Sequence, residues 1–315
     1  MIGRRYLLAS VHDDPTEILE ASLTKLIAHE EDSAVILGVV PKLSEDIINS
    51  KAASSAKRAE QEALDALNQK LSVLKTHIKC PADIDLASGE MATETINAAI
   101  LRKAEIVVKL ADHSAENSSP ALGSVDKRLI RRCPAPTLIL RQALRASPKI
   151  VVALDNPDNA INPEDAYEMS AEILQRSVDL AERLDVGQIT LLHMGWLVGM
   201  NYLTGPWSRM TGEEVAETVS AHNEKLSTWL EGVAKRAGAK FAATGIQFAT
   251  HVATGFGGKA LAEAADDLDA DILVIGSANR RGLQGLFFGN TAEGVIDHTK
   301  SALYVVKPSD FHELI

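Results

Sequence analysis

The sequence predicts an α/β chain of two tandem, doubly wound domains, each built on a five-stranded parallel sheet. Three observations carry this. The chain repeats itself: displaced by 166 positions, AEIVVKL (104–110) falls under ADILVIG (270–276), LGSVDKRLI (122–130) under FGNTAEGVI (288–296), and TLILR (137–141) under LYVVK (303–307), all without a gap. Gly89 falls under Gly255 in the same register, and a displacement of 144 sets YLLAS (6–10) under IVVAL (150–154). Each half also alternates short apolar, β-branched runs with longer segments of helical periodicity. Strands apolar on both faces belong in a parallel sheet covered on both sides by helices. Finally, 315 residues, 46% hydrophobic and 24% charged, are about twice one ordinary domain. The domains are expected at 1–142 and 149–310, with 142–148 as linker.

Taken in order, the first half reads as strand 6–10, helix 16–30, strand 34–40, helix 50–74, strand 83–87, helix 91–102, strand 106–110, helix 124–132 and strand 137–141. The second half opens with the apolar run 150–155. A helix follows at 163–184, where Ala166, Met169, Ile173, Leu180 and Leu184 recur at helical spacing. Then come strand 188–194, helix 213–237, strand 247–253, helix 258–268, strand 272–276, a loop, helix 291–298 and strand 302–307.

The charge of −11 divides unevenly: residues 1–147 hold 19 basic and 20 acidic side chains, residues 149–315 hold 13 and 23. Neither half has the basic footprint that binding to a phosphate backbone needs, which argues against nucleic acid as a partner. Aromatics are skewed as well, with Tyr6 alone before Pro148. Cys80 and Cys133 show no metal-site spacing, and a reduced cytoplasmic protein is expected. The apolar run after Arg4-Arg5 is too short for a signal peptide or a membrane span, so no membrane partner is expected.

In a parallel sheet of this kind, ligands sit outside the carboxyl ends of the strands where the strand order reverses. For a flavodoxin-like order that point lies between strands one and four, which in the second half end at Asp155 and Gly276. The segment GSANRRGLQGLFFGNTAE then carries glycines at 276, 282, 285 and 289 into a helix at Asn290 or Thr291. Backbone amides bared by glycine, together with a helix N-terminus, make a phosphate-sized anion site. Turns alone would account for single glycines, but four in fourteen residues exceed what turns require. Arg280 and Arg281 are either phosphate clamps or solvated loop residues. GFGGKA (255–260) is not a Walker loop, because Ala253 and Ala260 stand where Gly and Ser or Thr are needed.

On these residues the chain resembles the universal stress proteins, and most closely their two-domain E-type members. Nucleotide-binding members carry Gly, two residues, Gly, nine residues, Gly and Ser or Thr after strand four. Here the spacing is kept as Gly276, Asn279, Gly289 and Asn290, so two of the four residues differ. GNTAEGVIDH and LYVVKP carry the E-type likeness, which is strong over 247–308 and weak over 40–80. The resemblance implies an adenine nucleotide alpha hydrolase-like fold and a bound ATP or AMP, with Mg²⁺ accompanying ATP. It implies that Asp155 and Met194, the latter following His193, line adenine and ribose, while the loop with Arg280 and Gly282 and the helix start at Asn290 and Thr291 hold phosphates. Asn279 tolerates left-handed backbone but crowds a phosphate. Asn290 suits a helix cap, with Glu293 completing a capping-box-like pair and Thr291 offering a hydroxyl.

The first-half loop, LADHSAENSSPALGS, keeps only Gly123-Ser124, and Val11 stands where Asp155 would be, with Asp13 two places on. Nucleotide is not expected there. By resemblance, the last strands of the two halves pair antiparallel as an intramolecular pseudo-dimer, which also satisfies two strand edges. Whether two chains also associate is left open. Segment 196–210 is either a packed loop, or a lid or partner surface for an apolar small molecule or a protein. His193 reads as a hydrogen-bonded structural residue closing an apolar strand, and His298 as a helix-terminal cation. With no catalytic constellation in view, the expected function is stress-response binding and signalling rather than turnover. Weak ATP hydrolysis is the enzymatic alternative.

Overall fold

The computed structural model of the chain describes residues 3–10, 16–27, 29–112, 122–157, 162–196, 205, 207–277 and 290–308. The described residues fall into two compact units, one made of the first half with the last strand, the other of the rest of the second half.

The first unit runs β1 (Arg5–Ser10), α1 (Thr16–Leu26), β2 (Ser33–Val40), α2 (Glu45–Ile48), α3 (Ala53–Thr76), β3 (Ala82–Ser88), α4 (Met91–Leu101), β4 (Ile106–Leu110), α5 (Ser124–Arg132) and β5 (Thr137–Leu140). Its strands lie in the order β3-β2-β1-β4-β5, all parallel, with Leu7 opposite Val35 on one side and Val107 on the other. The sheet is doubly wound and its order reverses between β1 and β4 as the sequence implied, but the order 3-2-1-4-5 is of the Rossmann kind and not the flavodoxin-like 2-1-3-4-5 expected. The final strand of the chain, β10 (Ala302–Val306), adds to β5 antiparallel, with Tyr304 opposite Leu138. The last strands of the two repeats therefore pair, and β5 is not left as an edge.

Why the helices sit where they do follows from side chains on the two sheet faces. Leu7, Ala9, Leu37 and Val39 pack with Met91, Ala92, Ile96 and Leu129 in one buried cluster. On β2, a Cβ at Gly38 would fall 2.7 Å from Leu67 Cδ2 and 2.8 Å from Leu71 Cδ1, so the glycine makes room for α3. Tyr6, buried in β1, donates its hydroxyl to the carbonyl of Leu26 at 3.0 Å and pins the end of α1. The segment read as a linker is docked rather than loose. Lys25 Nζ donates to the carbonyls of Leu144 and Arg145 at 3.1 and 2.8 Å, and Leu144 is buried.

The second unit contains β6 (Ile150–Ala153), α6 (Pro163–Arg183), β7 (Gln188–Gly195), α7 (Gly212–Lys240), β8 (Gln247–Thr254), α8 (Gly257–Asp267), β9 (Ile272–Gly276) and α9 (Asn290–His298). Its order, β9-β6-β7-β8, repeats that of the first half, with Val152 opposite Leu191 and Val274. Local chemistry sets the helix starts. Pro163 occupies the first turn of α6, where its missing N–H costs nothing. At α7, Thr211 Oγ1 accepts from the Glu214 amide at 3.2 Å while Glu214 Oε2 accepts from the Thr211 amide at 2.7 Å, a reciprocal capping box. Helices α8 and α9 cross at two glycines: a Cβ on Gly294 would lie 2.9 Å from Gly258 Cα. Among the described residues no helix is long and apolar enough to cross a membrane.

Candidate functional site

In the second unit β6, β7, β8 and β9 run parallel, and of the residues singled out from the sequence Asp155, Met194 and Gly276 stand at their carboxyl ends. Two residues beyond Ala153, Asp155 is exposed to solvent. Its approach is fixed by the main chain of the neighbouring strand. The Leu154 amide donates to the Leu192 carbonyl at 2.9 Å, and the Leu154 carbonyl accepts from His193 Nδ1 at 2.7 Å. His193 is buried, with its ring edge against Trp229 at a centroid distance of 5.0 Å. It is a structural residue, as its place at the end of an apolar strand implied, and it positions the turn that carries Asp155.

Met194 is half-buried at the end of β7, and its Cε lies 3.2 Å from where a Cβ on Gly255 would stand. The chain leaves β8 through Gly255-Phe256-Gly257, with Gly257 at a φ of +83° that only glycine adopts at low cost. Gly276 ends β9, the strand beside β6. Its absent Cβ points at α6, where Ile173 Cδ1 and Met169 Cε would be 2.8 and 3.0 Å away. The small side chain thus admits a helix as well as opening the loop. One residue on, the buried hydroxyl of Ser277 has no hydrogen-bond partner among the described residues, and no motif in the sequence marks it.

Asn279, Arg280, Gly282 and Gly289 lie outside the described residues, as do Val11, Asp13 and residues 197–204 of the aromatic segment. Helix α9 begins at Asn290, one residue earlier than a cap at Asn290 requires, so its third position is Ala292 rather than Glu293. Beside this end of the sheet the sequence missed a pair of rings. Exposed Trp196, just past β7, and exposed Phe256, just past β8, meet at 5.2 Å between centroids. Trp207 and Met210 are exposed too.

The corresponding place in the first half is differently furnished. Lys109 of β4 is fully buried and donates to the Leu110 carbonyl at 2.8 Å, to Asp112 and to Asp126 Oδ1 at 2.9 Å. Asp126, in the first turn of α5 and also fully buried, accepts through Oδ2 from the amides of Asp112 at 2.9 Å and Gly123 at 3.3 Å. Burial alone would lower the Lys109 ammonium, but the two carboxylates outweigh it and hold its pKa above the lysine range. Burial pushes the Asp126 carboxyl above the usual aspartate range, and Lys109 pulls it only part of the way back.

The fold defines a tandem α/β protein, with the carboxyl end of the sheet furnished differently in its two copies. Residues 148–307 match the Universal stress protein family, half of the chain, and the chain belongs to that family. It is 26% identical over 205 residues to the Universal stress protein E homolog of Haemophilus influenzae, and 25% identical over 211 residues to Universal stress protein E of Escherichia coli K12. These stretches cover 65% and 66% of this chain and 62% of each relative's length. Among solved structures it is similar to a functionally unknown protein from Pseudomonas aeruginosa PAO1, with a TM-score of 0.63, 19% identity, and 98% of this chain and 94% of that one covered. A universal stress protein from Archaeoglobus fulgidus gives a TM-score of 0.59 at 16% identity, with 96% and 98% covered. At such identities these two likenesses speak to the fold, and they extend it over both halves.

Proposed function

We propose that the chain is a non-catalytic binding and signalling module of the stress response, whose second half takes an adenine nucleotide, ATP or AMP, at the loop after β9. The observation that carries this reading is the start of α9. The helix begins at Asn290, directly after the glycine of the loop motif, at the same end of the sheet as the carboxyl end of β9. Backbone amides at a helix N-terminus attract phosphate. Exposed Asp155 on the adjoining strand end offers a carboxylate for ribose hydroxyls. Mg²⁺ would enter with ATP, offsetting the repulsion that an acidic domain exerts on a polyphosphate. Calorimetric titration of ATP into the wild type and into Gly289→Trp tests the proposal. Binding to the wild type alone is expected. Heat from neither protein removes the nucleotide, and equal heat from both removes the site.

A second reading is favoured by the exposed Trp196–Phe256 pair: an apolar small molecule or a protein partner held by segment 196–210 without nucleotide. Native mass spectrometry of the purified protein is the test, and an unliganded mass argues against a resident small molecule.

A further inference from the structure

We infer that the first half contains a formed anion site whose occupant is the protein's own Asp126 carboxylate, and that removing this carboxylate lets a small oxyanion take its place. The inference stands whether or not the second half binds a nucleotide.

The first argument is the donor set. Asp126 is held by the Asp112 amide just past β4 and the Gly123 amide just before α5, with the ammonium of buried Lys109 on its other oxygen. Two main-chain amides flanking a loop and one lysine are the groups with which helix-terminal sites hold phosphates and carboxylates from outside.

A second argument is the glycine. A Cβ on Gly123 would fall 2.5 Å from Asp112 Oδ2 and 2.6 Å from Asp112 Cβ. The close approach to backbone that glycine gives a ligand is used here by another of the chain's own carboxylates.

The third comes from the internal repeat. In the 166-residue register, Gly123 corresponds to Gly289, while Lys109, Asp112 and Asp126 correspond to Ile275, Ala278 and Ala292. All three charged groups are missing together from the second half, and the glycine remains. A set that comes and goes as a unit is understood if it serves one purpose, filling the anion position. An ordinary helix cap needs neither the buried ammonium nor the second carboxylate.

The test is chemical rescue in the full chain. Asp126→Ala leaves Lys109 and two amides around a carboxylate-sized space. Its thermal midpoint, read by circular dichroism in chloride, is expected to fall by roughly 5 °C or more. Replacing chloride with formate or inorganic phosphate at equal ionic strength should return at least half of the loss in the variant and leave the wild type unmoved. Adding Lys109→Met to Asp126→Ala should abolish the return. If Asp126→Ala does not fold in chloride, the same comparison is made on refolding yield, and folding in formate alone supports the inference. No rescue by either anion overturns it. So does an equal response of the wild type, which would mark a general salt effect, or rescue that persists without Lys109.

Discussion

His193 Nδ1 donates a hydrogen bond to the Leu154 carbonyl at 2.7 Å, and this one contact ties the end of β7 to the residue before Asp155. The histidine is buried and backed by Trp229, so its loss strands a carbonyl and opens a hole together. We predict that His193→Ala lowers unfolding free energy by about 1–3 kcal/mol in urea titration. ATP affinity should fall in parallel, since Asp155 loses its fixed approach. Unchanged stability would show that the contact positions nothing.

The α8–α9 crossing supplies a test in which two effects oppose. Gly294→Ala gains about 1 kcal/mol of helix propensity, yet its Cβ would meet Gly258 Cα, N and C at 2.9, 3.1 and 3.3 Å. These are backbone atoms, so overpacking of about 1–3 kcal/mol wins and the variant is destabilised. Gly232→Ala in α7 is the control: its nearest neighbour is the flexible tip of Arg236 at 3.4 Å. There the propensity gain of roughly 0.5–1 kcal/mol should appear undiminished. Opposite signs from the two alanines, in thermal or urea unfolding, are the expected result.

Lys307, the residue after β10, is buried, donates to the Ile130 carbonyl, and has its pKa lowered by burial from 10.5 to about 8. In the unfolded chain it holds its proton up to its ordinary value. Between about pH 8 and pH 10.5 the unfolded state therefore binds more protons, and this residue's contribution to stability rises with pH. At neutral pH the buried charge is a cost. The stability of the wild type relative to Lys307→Met should climb by up to about 3 kcal/mol across that window. A flat difference would mean that the ammonium is solvated.

Asn279 stands where nucleotide-binding relatives of the sequence pattern carry glycine. For the nucleotide site proposed above, a glycine at this position gives a phosphate closer approach to the backbone, so Asn279→Gly should tighten ATP binding by about tenfold, or about 1.4 kcal/mol. Weaker binding in the glycine variant would place Asn279 among the phosphate's donors instead.

Much of the fold was legible because the strands are apolar on both faces and bounded by polar turns, which set β4 and β9 to the residue. Helix ends were less legible. Gly238 looks like a stop signal, yet α7 continues to Lys240, and the left-handed glycine that turns the chain is Gly245 at a φ of +73°. Helix α1 ends at Leu26 rather than residue 30, because the turn closed by the Asp32 amide on the His29 carbonyl must bring the chain back to β2. In the second half, Met194 was singled out by the family resemblance, whereas Asp155 and Gly276 follow from strand ends alone. The Lys109–Asp126 pair does not, since partners 17 residues apart meet only once α5 has folded back on β4. A lysine inside the apolar run IVVKL was the available signal.

Equilibrium dialysis of the full chain against labelled ATP and Mg²⁺ tests the central claim most directly, because it counts sites. One nucleotide per chain is predicted, lost in Gly289→Trp and retained in Lys109→Met. No bound nucleotide, or two per chain, would contradict an account in which one half offers a ligand site and the other fills its own.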